Sequence, residues 1–248
     1  MNLEEKYKTG DALNPFDPAS YNLGADGVQA RIQNGTSPLS GKQFEKLFGD
    51  PSKMKFLLDM VQNDLEECER TGEDPRARMM REKREWAEAD AKSAKLKTFG
   101  NDAFKKGEYQ DAFVIYSACT EYSPQEPLYT LNRAAAALKL KLYTVAVDDA
   151  SYTLEREYNE TKAYFRRGQA YCALGHFKKA REDLQAALTL QPGDGSVIRE
   201  IETLDRVEKL SQDEKAEWIG QQEGKTLADI FEGKLNVLMK KRVAELVE

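Results

Sequence analysis

The amino-acid sequence predicts an all-α protein built around three consecutive helix pairs, with additional helices on both sides of them. The first observation is a 34-residue period that fits three times without a gap, over 93–126, 127–160 and 161–194. Self-similarity at such a period is typical of helical repeat arrays. The second observation is that small residues recur in two registers of the period, and the third is that proline closes two of the three units.

The small residues occupy one register in each helix of a predicted pair. Gly or Ala in the first helix lets two antiparallel helices approach closely, because a larger side chain would hold the backbones apart. Ala in the second helix has the same effect from the other side. These residues are Gly100, Ala134 and Gly168 in the first register and Ala112, Ala146 and Ala180 in the second.

Each unit also has an aromatic residue just after its turn, where the side chain can cover the end of the helix pair. These residues are Tyr109, Tyr143 and Phe177. Pro124 and Pro192 close the first and third units, since proline cannot continue the helical hydrogen-bond ladder. Tyr158 stands at the corresponding position of the second unit.

Two segments precede the repeats. Residues 1–40 contain Pro15, Pro18, Pro38 and several turn-forming residues, which indicates a disordered or irregular tail. Within this tail, "FDPASYNLG" is either solvated chain or a short linear motif for a partner. Residues 41–92 read as a helical N-terminal extension that includes "KQFEKLF", an apolar helix and one long charged helix. This extension either docks on the repeats or binds a partner.

Residues 195–248 are predicted to form a capping helix and C-terminal helices. The segment "SVIREIETLDRVEKL" has the apolar spacing of a cap, which the last repeat needs because its core face is otherwise exposed. Ser211 with Glu214 and Thr226 with Asp229 have capping-box spacing, so two more helices are expected to begin there. The last of these is amphipathic, and it either packs on the array or presents its apolar side to a client. Its apolar residues are Leu227, Ile230, Phe231, Leu235, Leu238 and Leu246.

Composition excludes several classes of function. With 43 acidic and 37 basic residues the net charge is −6, which argues against general nucleic-acid binding because phosphate affinity depends on clustered Lys and Arg. The first residues are acidic where a signal peptide needs an apolar run, and no stretch is long and apolar enough to span a membrane. We therefore expect a soluble, unexported protein with no nucleic-acid or membrane partner. Cys68, Cys119 and Cys172 form no CxxC pair, which favours reduced thiols and a cytoplasmic location, with the nucleus as an alternative.

Nothing in the sequence has the pattern of a catalytic site. The chain has no phosphate-binding glycine loop and no metal-ligand spacing, and its one histidine, His176, lies in a predicted turn. We expect no enzyme activity and no cofactor. A hydrolytic or regulatory role in the N-terminal helices is the alternative from the enzyme class.

The period and the small-residue pattern over 93–194 resemble those of the tetratricopeptide repeat family. The second unit departs from the pattern at Thr130, Ala150 and Thr153, which we interpret as local packing variation. The resemblance implies a right-handed superhelix whose concave surface is lined by the first helix of each repeat. Such a surface is a peptide-binding groove by its shape.

Five polar residues on the predicted first helices can converge on that concave surface. Lysine supplies a point charge, arginine a planar fork of donors, and asparagine a neutral donor that adds no repulsion. This combination suits a ligand rich in carboxylates. The five groove residues are Lys97, Asn101, Asn132, Lys162 and Arg166.

The five groove residues also resemble, position by position, the two-carboxylate clamp of the tetratricopeptide co-chaperones. The resemblance implies a co-chaperone or adaptor that binds the acidic C-terminal tail, Glu-Glu-Val-Asp, of heat-shock protein 70 or 90. It further implies that Lys97, Asn101 and Asn132 hold the terminal carboxylate, that Lys162 meets the last Asp side chain, and that Arg166 meets residues just upstream. A client or second partner is expected to bind the flanking helices.

Other interpretations stay open at this point. The groove could take an internal peptide or helix of a partner unconnected with chaperones. Arg133 and Arg167 are interpreted as structural or surface residues rather than groove residues. The final segment "AELVE" loosely imitates the expected ligand and could occupy the groove itself, within one molecule or between two.

Overall fold

Residues 51–247, the part of the chain that the computed structural model describes, form eleven α-helices and no strand. Side chains are described throughout from Gln62 onward. The predicted tail, its "FDPASYNLG" segment and the "KQFEKLF" helix lie outside the described residues. The helices are α1 (Pro51–Thr71), α2 (Pro75–Lys106), α3 (Tyr109–Tyr122), α4 (Pro127–Lys139), α5 (Tyr143–Glu155), α6 (Glu160–Ala173), α7 (Phe177–Leu190), α8 (Gly195–Glu208), α9 (Gln212–Gln221), α10 (Leu227–Phe231) and α11 (Leu235–Val247).

The chain divides into two compact units, one ending at Met80 and the other beginning at Arg81. In the described part of the first unit, Arg78 Nη2 lies 3.4 Å from Asp64 Oδ1, and Cys68 is buried. The second unit contains the repeats and everything that follows them. The boundaries given above for the N-terminal extension, and its choice between docking and partner binding, stay predictions.

The three predicted helix pairs are confirmed as α2 with α3, α4 with α5, and α6 with α7. Close approach explains the first small-residue register. A Cβ on Gly100 would lie 2.7 Å from Cε1 of Tyr116, and a Cβ on Gly168 would lie 2.9 Å from Cγ of Leu184. Both distances are too short for any larger residue, so these glycines fix how tightly the paired helices pack. The three alanines of the second register are completely buried.

The turn inside each helix pair has a residue with positive φ at the same register. Gly107, Lys141 and Gly175 have φ values of 83°, 62° and 78°. Glycine adopts this left-handed region freely, whereas lysine does so at a conformational cost. At Lys141 the carbonyl accepts a 2.9 Å hydrogen bond from the backbone N–H of Lys225, so the strained turn is held by a later part of the chain.

The second repeat has Tyr158 where the other repeats have proline, and it has Thr130 and Thr153 where larger side chains are typical. Backbone turns and hydrogen bonds within the repeat accommodate these differences. After α5 the chain turns through Glu157 and Asn159, which have φ values of 54° and 40°. The buried hydroxyl oxygens of Thr130 and Thr153 lie 3.2 Å apart, and the Thr153 hydroxyl donates to the carbonyl of Asp149 at 2.8 Å. The buried hydroxyls of Thr130 and Thr153 therefore have hydrogen-bond partners within the second repeat.

The predicted capping helix and both capping boxes are confirmed. The Asp194 side chain accepts hydrogen bonds from the backbone at the start of α8. Ser211 with Glu214 and Thr226 with Asp229 form reciprocal capping boxes at the starts of α9 and α10. The prediction of one continuous last helix from Leu227 to Leu246 was wrong, however. Glu232 and Gly233 both have positive φ, 49° and 74°, and divide it into α10 and α11.

The segment 212–247, here called the strap, runs back from the third repeat to the first. Ile219 packs on the turn at Gly175, where its Cδ1 is 2.5 Å from the place a Cβ would take. Further along, the ring of Phe231 stacks on that of Phe113 in α3, with 5.4 Å between centroids. Met239 and Val243 of α11 are buried in the same core cluster, and Arg242 forms an ion pair with Asp111. Of the two alternatives for the last helix, packing on the array is the one found.

The C-terminal residues 244–247 are helical and belong to α11, so they are not extended along the groove in this structure. Val247 packs against the cluster that contains α3. Cys68, Cys119 and Cys172 are free and buried. In the described part of the chain, no helix combines the length and the apolarity needed to cross a membrane.

Candidate functional site

The five groove residues lie on the first helix of each pair. Lys97 and Asn101 are on α2, Asn132 is on α4, and Lys162 and Arg166 are on α6. Four of them are half-buried and Lys162 is exposed. A half-buried polar residue in a groove can contact a ligand while its stem stays packed.

Asn101 is oriented by a tyrosine from the core. The hydroxyl of Tyr116 donates a 2.8 Å hydrogen bond to Oδ1 of Asn101. Burial raises the pKa of Tyr116 to about 12, so this hydroxyl keeps its proton and remains a donor at neutral pH. The amide nitrogen of Asn101 has no partner among the described residues, so both of its hydrogens are available to an incoming oxygen.

Arg166 is a half-buried residue whose guanidinium is desolvated and has no carboxylate partner among the described residues. Its guanidinium donates to the backbone carbonyl of Leu131 and interacts electrostatically with Tyr116. Burial lowers the pKa of Arg166 to about 10, and no acidic group among the described side chains pairs with it. Because a buried charge is costly unless it is paired, this guanidinium gains from any carboxylate that enters the groove.

Two other arginines of the repeats, Arg133 and Arg167, differ from Arg166 because each has a carboxylate partner. Arg167 donates from Nε and Nη2 to the two carboxylate oxygens of Asp183, at 2.7 and 2.8 Å. Arg133 makes the same bidentate contact with Asp149, at 2.8 and 2.6 Å. Both carboxylates are buried. Arg133 and Arg167 therefore hold the helices of their own repeats together, as the sequence interpretation had them, and they are unavailable to a ligand.

The remaining groove residues are Asn132, Lys97 and Lys162. Asn132 follows Leu131, whose carbonyl accepts from Arg166, so α4 and α6 meet at this point. The charge of Lys97 acts on the buried thiol of Cys119 in the first repeat. Neither Lys97 nor Lys162 forms an ion pair in the part of the chain that the structure describes. Lys162 is one helical turn from Arg166 on α6, which puts both cations on one face.

Tyr116 thus contacts Asn101 and interacts electrostatically with Arg166, and Arg166 donates to the carbonyl of Leu131, the residue before Asn132. Lys97 lies one turn from Asn101 on α2, as Lys162 does from Arg166 on α6. Sequence analysis missed Tyr116, because it belongs to the second helix of its pair and carries no charge. It also missed the Leu131 carbonyl, which no side-chain pattern can reveal.

The groove continues beyond Arg166 into a cavity of about 650 Å³, here called the upstream cavity. Its walls come from α2, α4, α5, α6 and α8 and, in the strap, from α9 and the residue that follows it, Gln222. The lining combines apolar side chains, among them Ala135, Leu138, Phe165 and Trp218, with the charged residues Lys139, Arg166, Arg199 and Glu200.

The described residues offer few other groups that could serve in catalysis or metal binding. His176 is exposed in the turn before α7, with its ring 5.9 Å from that of Tyr171. Burial raises the pKa of both the Cys119 and Cys172 thiols to about 12, which makes them poor nucleophiles. Among the described residues, no group of His, Cys, Asp or Glu side chains could hold a metal ion.

The repeat region of this chain is similar to known proteins. The tetratricopeptide repeat model matches residues 161–194. The rat serine/threonine-protein phosphatase 5 is 32% identical over 131 residues, which are 52% of this chain and 26% of the phosphatase. The chain therefore spans well under two thirds of the length of this curated relative.

Two solved structures are similar to the repeat region. The first TPR of Spaghetti (RPAP3), bound to the HSP90 peptide SRMEEVD, is 32% identical and matches 49% of this chain and 96% of that one, with a TM-score of 0.45. The second TPR domain of human RPAP3, in complex with the HSP70 peptide SGPTIEEVD, is 29% identical, with coverages of 47% and 98% and a TM-score of 0.45.

Proposed function

Because this chain belongs to the tetratricopeptide repeat family, we propose that it is a co-chaperone or adaptor. Its groove binds the acidic C-terminal tail of an HSP70 or HSP90 chaperone, of the Glu-Glu-Val-Asp type. The flanking helices then hold a client or a second partner near the chaperone. The mechanism is tethering, in which one bound module raises the effective concentration of what the other carries.

The observation that carries this proposal is the unpaired, buried guanidinium of Arg166. Its neighbour Arg167 has a carboxylate partner in Asp183, whereas Arg166 has only a backbone carbonyl among the described residues. A ligand carboxylate would relieve the cost of that buried charge. This favours an acidic ligand over a neutral internal peptide, which would leave the charge uncompensated.

The other four groove residues have complementary roles in the proposal. The oriented amide of Asn101, the amide of Asn132 and the ammonium of Lys97 receive the terminal main-chain carboxylate. Lys162 meets the side chain of the last Asp, and Arg166 meets the acidic residues or backbone just upstream. Charge-assisted hydrogen bonds of this kind contribute about 1.5 to 3 kcal/mol each, so a short peptide is expected to bind with roughly micromolar affinity.

The relatives support the same ligand class. Both RPAP3 domains were solved with peptides that end in Glu-Glu-Val-Asp, and their identity to this chain is 32% and 29%. The match to the phosphatase covers 26% of that protein, so its catalytic activity is not transferred to this chain. Binding, with no catalysis and no cofactor, is the function proposed. Three free buried thiols fit a reducing compartment, which we take to be the cytoplasm, with the nucleus as the alternative.

Titration of the chain with a fluorescent Glu-Glu-Val-Asp peptide tests the proposal. Asn132→Ala and Lys162→Ala are each expected to weaken binding about tenfold, since each removes a hydrogen-bonding partner of a ligand carboxylate. Lys178→Ala is the matched control, because Lys178 is an exposed lysine on α7, outside the groove. Equal affinities for the wild type and both groove variants would disprove the clamp. If the groove binds an internal peptide of another protein and the acidic tail peptide does not displace it, the chain is instead a scaffold for a partner unconnected with chaperones.

A further inference from the structure

We infer that the chain has a second binding site, outside the peptide groove, which takes an arginine side chain of a partner protein. The site is a cavity of about 670 Å³ between the first part of α2 and the turn that joins α3 to α4, here called the acidic pocket. The inference goes beyond the proposed function and does not depend on the groove binding an acidic tail. The lining residues used below are Trp86, Asp90, Tyr122, Ser123, Glu126 and Tyr129.

The acidic pocket is separate from the five groove residues. Asp90 lies seven residues before Lys97 on α2, which corresponds to about 10 Å along the helix axis at 1.5 Å per residue. Trp86 lies one turn further away, and both residues precede the first 34-residue unit. The two sites also have opposite charge. The groove presents cations, whereas the only charged residues that line the pocket are Asp90 and Glu126.

Hydrogen bonds with the turn after α3 hold the two carboxylates at the pocket. Ser123 Oγ donates to Asp90 Oδ1 at 2.6 Å, and the carbonyl of Ser123 accepts from the backbone N–H of Glu126 at 3.1 Å. Glu126 Oε1 accepts from the backbone N–H of Leu128, also at 3.1 Å. Each carboxylate therefore keeps one oxygen, Oδ2 of Asp90 and Oε2 of Glu126, that has no hydrogen-bond partner among the described residues.

Tyr129 contributes a third oxygen without a partner. Its side chain is 6% exposed and lines the pocket, yet its hydroxyl forms no hydrogen bond with a described residue. Burial raises the pKa of Tyr129 to about 12, and the charges of Glu126 and Asp90 add to this, so the hydroxyl is protonated and lies within electrostatic reach of both acids. A largely buried hydroxyl without a partner costs free energy, which a ligand that donates to it would recover.

The cations near the pocket do not neutralise its two acids, neither of which forms an ion pair with a described residue. Lys92 Nζ lies 5.6 Å from the centroid of the Tyr122 ring. Arg156 Nη2 donates to Gln125 Oε1 at 3.3 Å, and its Cζ lies 3.4 Å from the centroid of the Tyr152 ring. Both cations are therefore engaged with aromatic rings, and the negative charge of the pocket remains available to a ligand.

An arginine side chain matches these groups in charge and in shape. A guanidinium has five N–H donors in one plane, so it can reach several separate acceptors at once. Its face also stacks on aromatic rings, and ring surface is open here because Trp86 is 70% exposed and Tyr122 is half-buried. An acidic side chain would be repelled by both carboxylates, and an apolar one would leave the three oxygens without donors.

The inference is tested by titrating the full chain with the capped peptide Ac-Ser-Gly-Arg-Gly-Ser-NH2 and following the indole N–H of Trp86 by NMR. We expect a saturable shift with a Kd of about millimolar order, since one side chain makes the contact, and no shift when glutamine replaces the arginine. Asp90→Asn and Glu126→Gln preserve side-chain shape and should each weaken binding about fivefold. Glu88→Gln is the matched control, because Glu88 is exposed on the same part of α2 and does not line the pocket.

Tyr129→Phe provides a second readout. The substitution removes only a hydroxyl that has no described partner, so the arginine peptide should bind about threefold more weakly while the urea unfolding midpoint stays unchanged. A lower midpoint together with unchanged peptide affinity would show that the hydroxyl has a structural role, and would contradict its place in the site.

A saturating amount of the Glu-Glu-Val-Asp peptide separates the two sites, and it should leave the affinity for the arginine peptide unchanged. The inference would be overturned by equal shifts with the arginine and glutamine peptides, by no saturable shift at all, or by an affinity that Asp90→Asn and Glu126→Gln do not alter. None of these results bears on the clamp. Conversely, binding of the arginine peptide without binding of the tail peptide would reject the proposed function and leave the acidic pocket in place.

Discussion

The hydroxyl of Tyr116 donates a 2.8 Å hydrogen bond to Oδ1 of Asn101, and so connects the core of the first repeat to the proposed peptide groove. Tyr116 is 2% exposed, and its ring lies against Gly100, where there is no room for a Cβ. The register glycine, the buried phenol and the groove amide therefore form one chain of contacts. Orientation of the amide is a consequence of how α2 packs on α3.

Tyr116→Phe is expected to weaken the binding of a peptide with a free terminal carboxylate about fivefold, because Asn101 loses the hydrogen bond that orients it. The free energy of unfolding should fall by about 1 kcal/mol for the same lost hydrogen bond. Calorimetric titration and urea unfolding measure the two effects. The same peptide with a C-terminal amide should show a smaller change, and an equal change for both peptides would contradict the role of Asn101.

Arg166→Ala and Arg167→Ala are expected to have opposite profiles although the residues are adjacent. Arg166→Ala should reduce peptide affinity more than tenfold and change stability by less than about 1 kcal/mol, since no carboxylate among the described residues loses its partner. Arg167→Ala should leave affinity unchanged and lower stability by about 3 kcal/mol, because Asp183 would remain buried and unpaired. Urea unfolding and peptide titration of both variants decide the matter. A loss of affinity in Arg167→Ala would show that the assignment of the pair is wrong.

Gly100→Ala is expected to lower the free energy of unfolding by about 2 kcal/mol, since its methyl group would lie 2.7 Å from the Tyr116 ring. Peptide affinity should fall as well, because displacement of the ring also moves the partner of Asn101. Gly220→Ala is the matched control within α9, since nothing lies within 4 Å of its Cβ position. That variant should be neutral or slightly stabilising. Similar unfolding midpoints for both variants would refute the close approach of α2 and α3.

Alkaline pH is expected to destabilise the fold through its buried thiols. Burial raises the pKa of Cys119 from 9.0 to about 12, so this group's contribution is fully present below pH 9 and is lost as pH rises toward 12. At pH 10.5 the unfolded chain gains about 2 kcal/mol from ionising this thiol while the folded chain does not. The loss of stability between pH 8 and pH 10.5 should therefore be smaller by that amount in Cys119→Ala than in the wild type. An identical loss in both would show that the thiol is not responsible.

The features that local sequence determines were predictable. Small residues 34 apart placed the helix pairs, and the spacing of Ser211 with Glu214 and of Thr226 with Asp229 placed two helix starts. The break after α10 was missed because the apolar spacing continues across it, although Gly233 could have signalled it.

Contacts between distant residues were not predictable from spacing alone. The ion pairs of Arg133 with Asp149 and of Arg167 with Asp183 repeat after 34 residues, so the period could have revealed them if charged residues had been compared as the small ones were. The strap contacts have no such signal. Trp218 lines the same cavity as Arg166 because the chain turns back across the third repeat, and no sequence period connects the two residues.

The most direct test of the central claim is calorimetric titration of the full chain with one Glu-Glu-Val-Asp peptide in two forms, the free acid and the C-terminal amide. The account predicts that the free acid binds with a Kd of about micromolar order and that the amide binds at least about tenfold more weakly, since the terminal carboxylate is the group that Lys97, Asn101 and Asn132 receive. Equal affinity for the two forms, or no binding of the free acid, would contradict it.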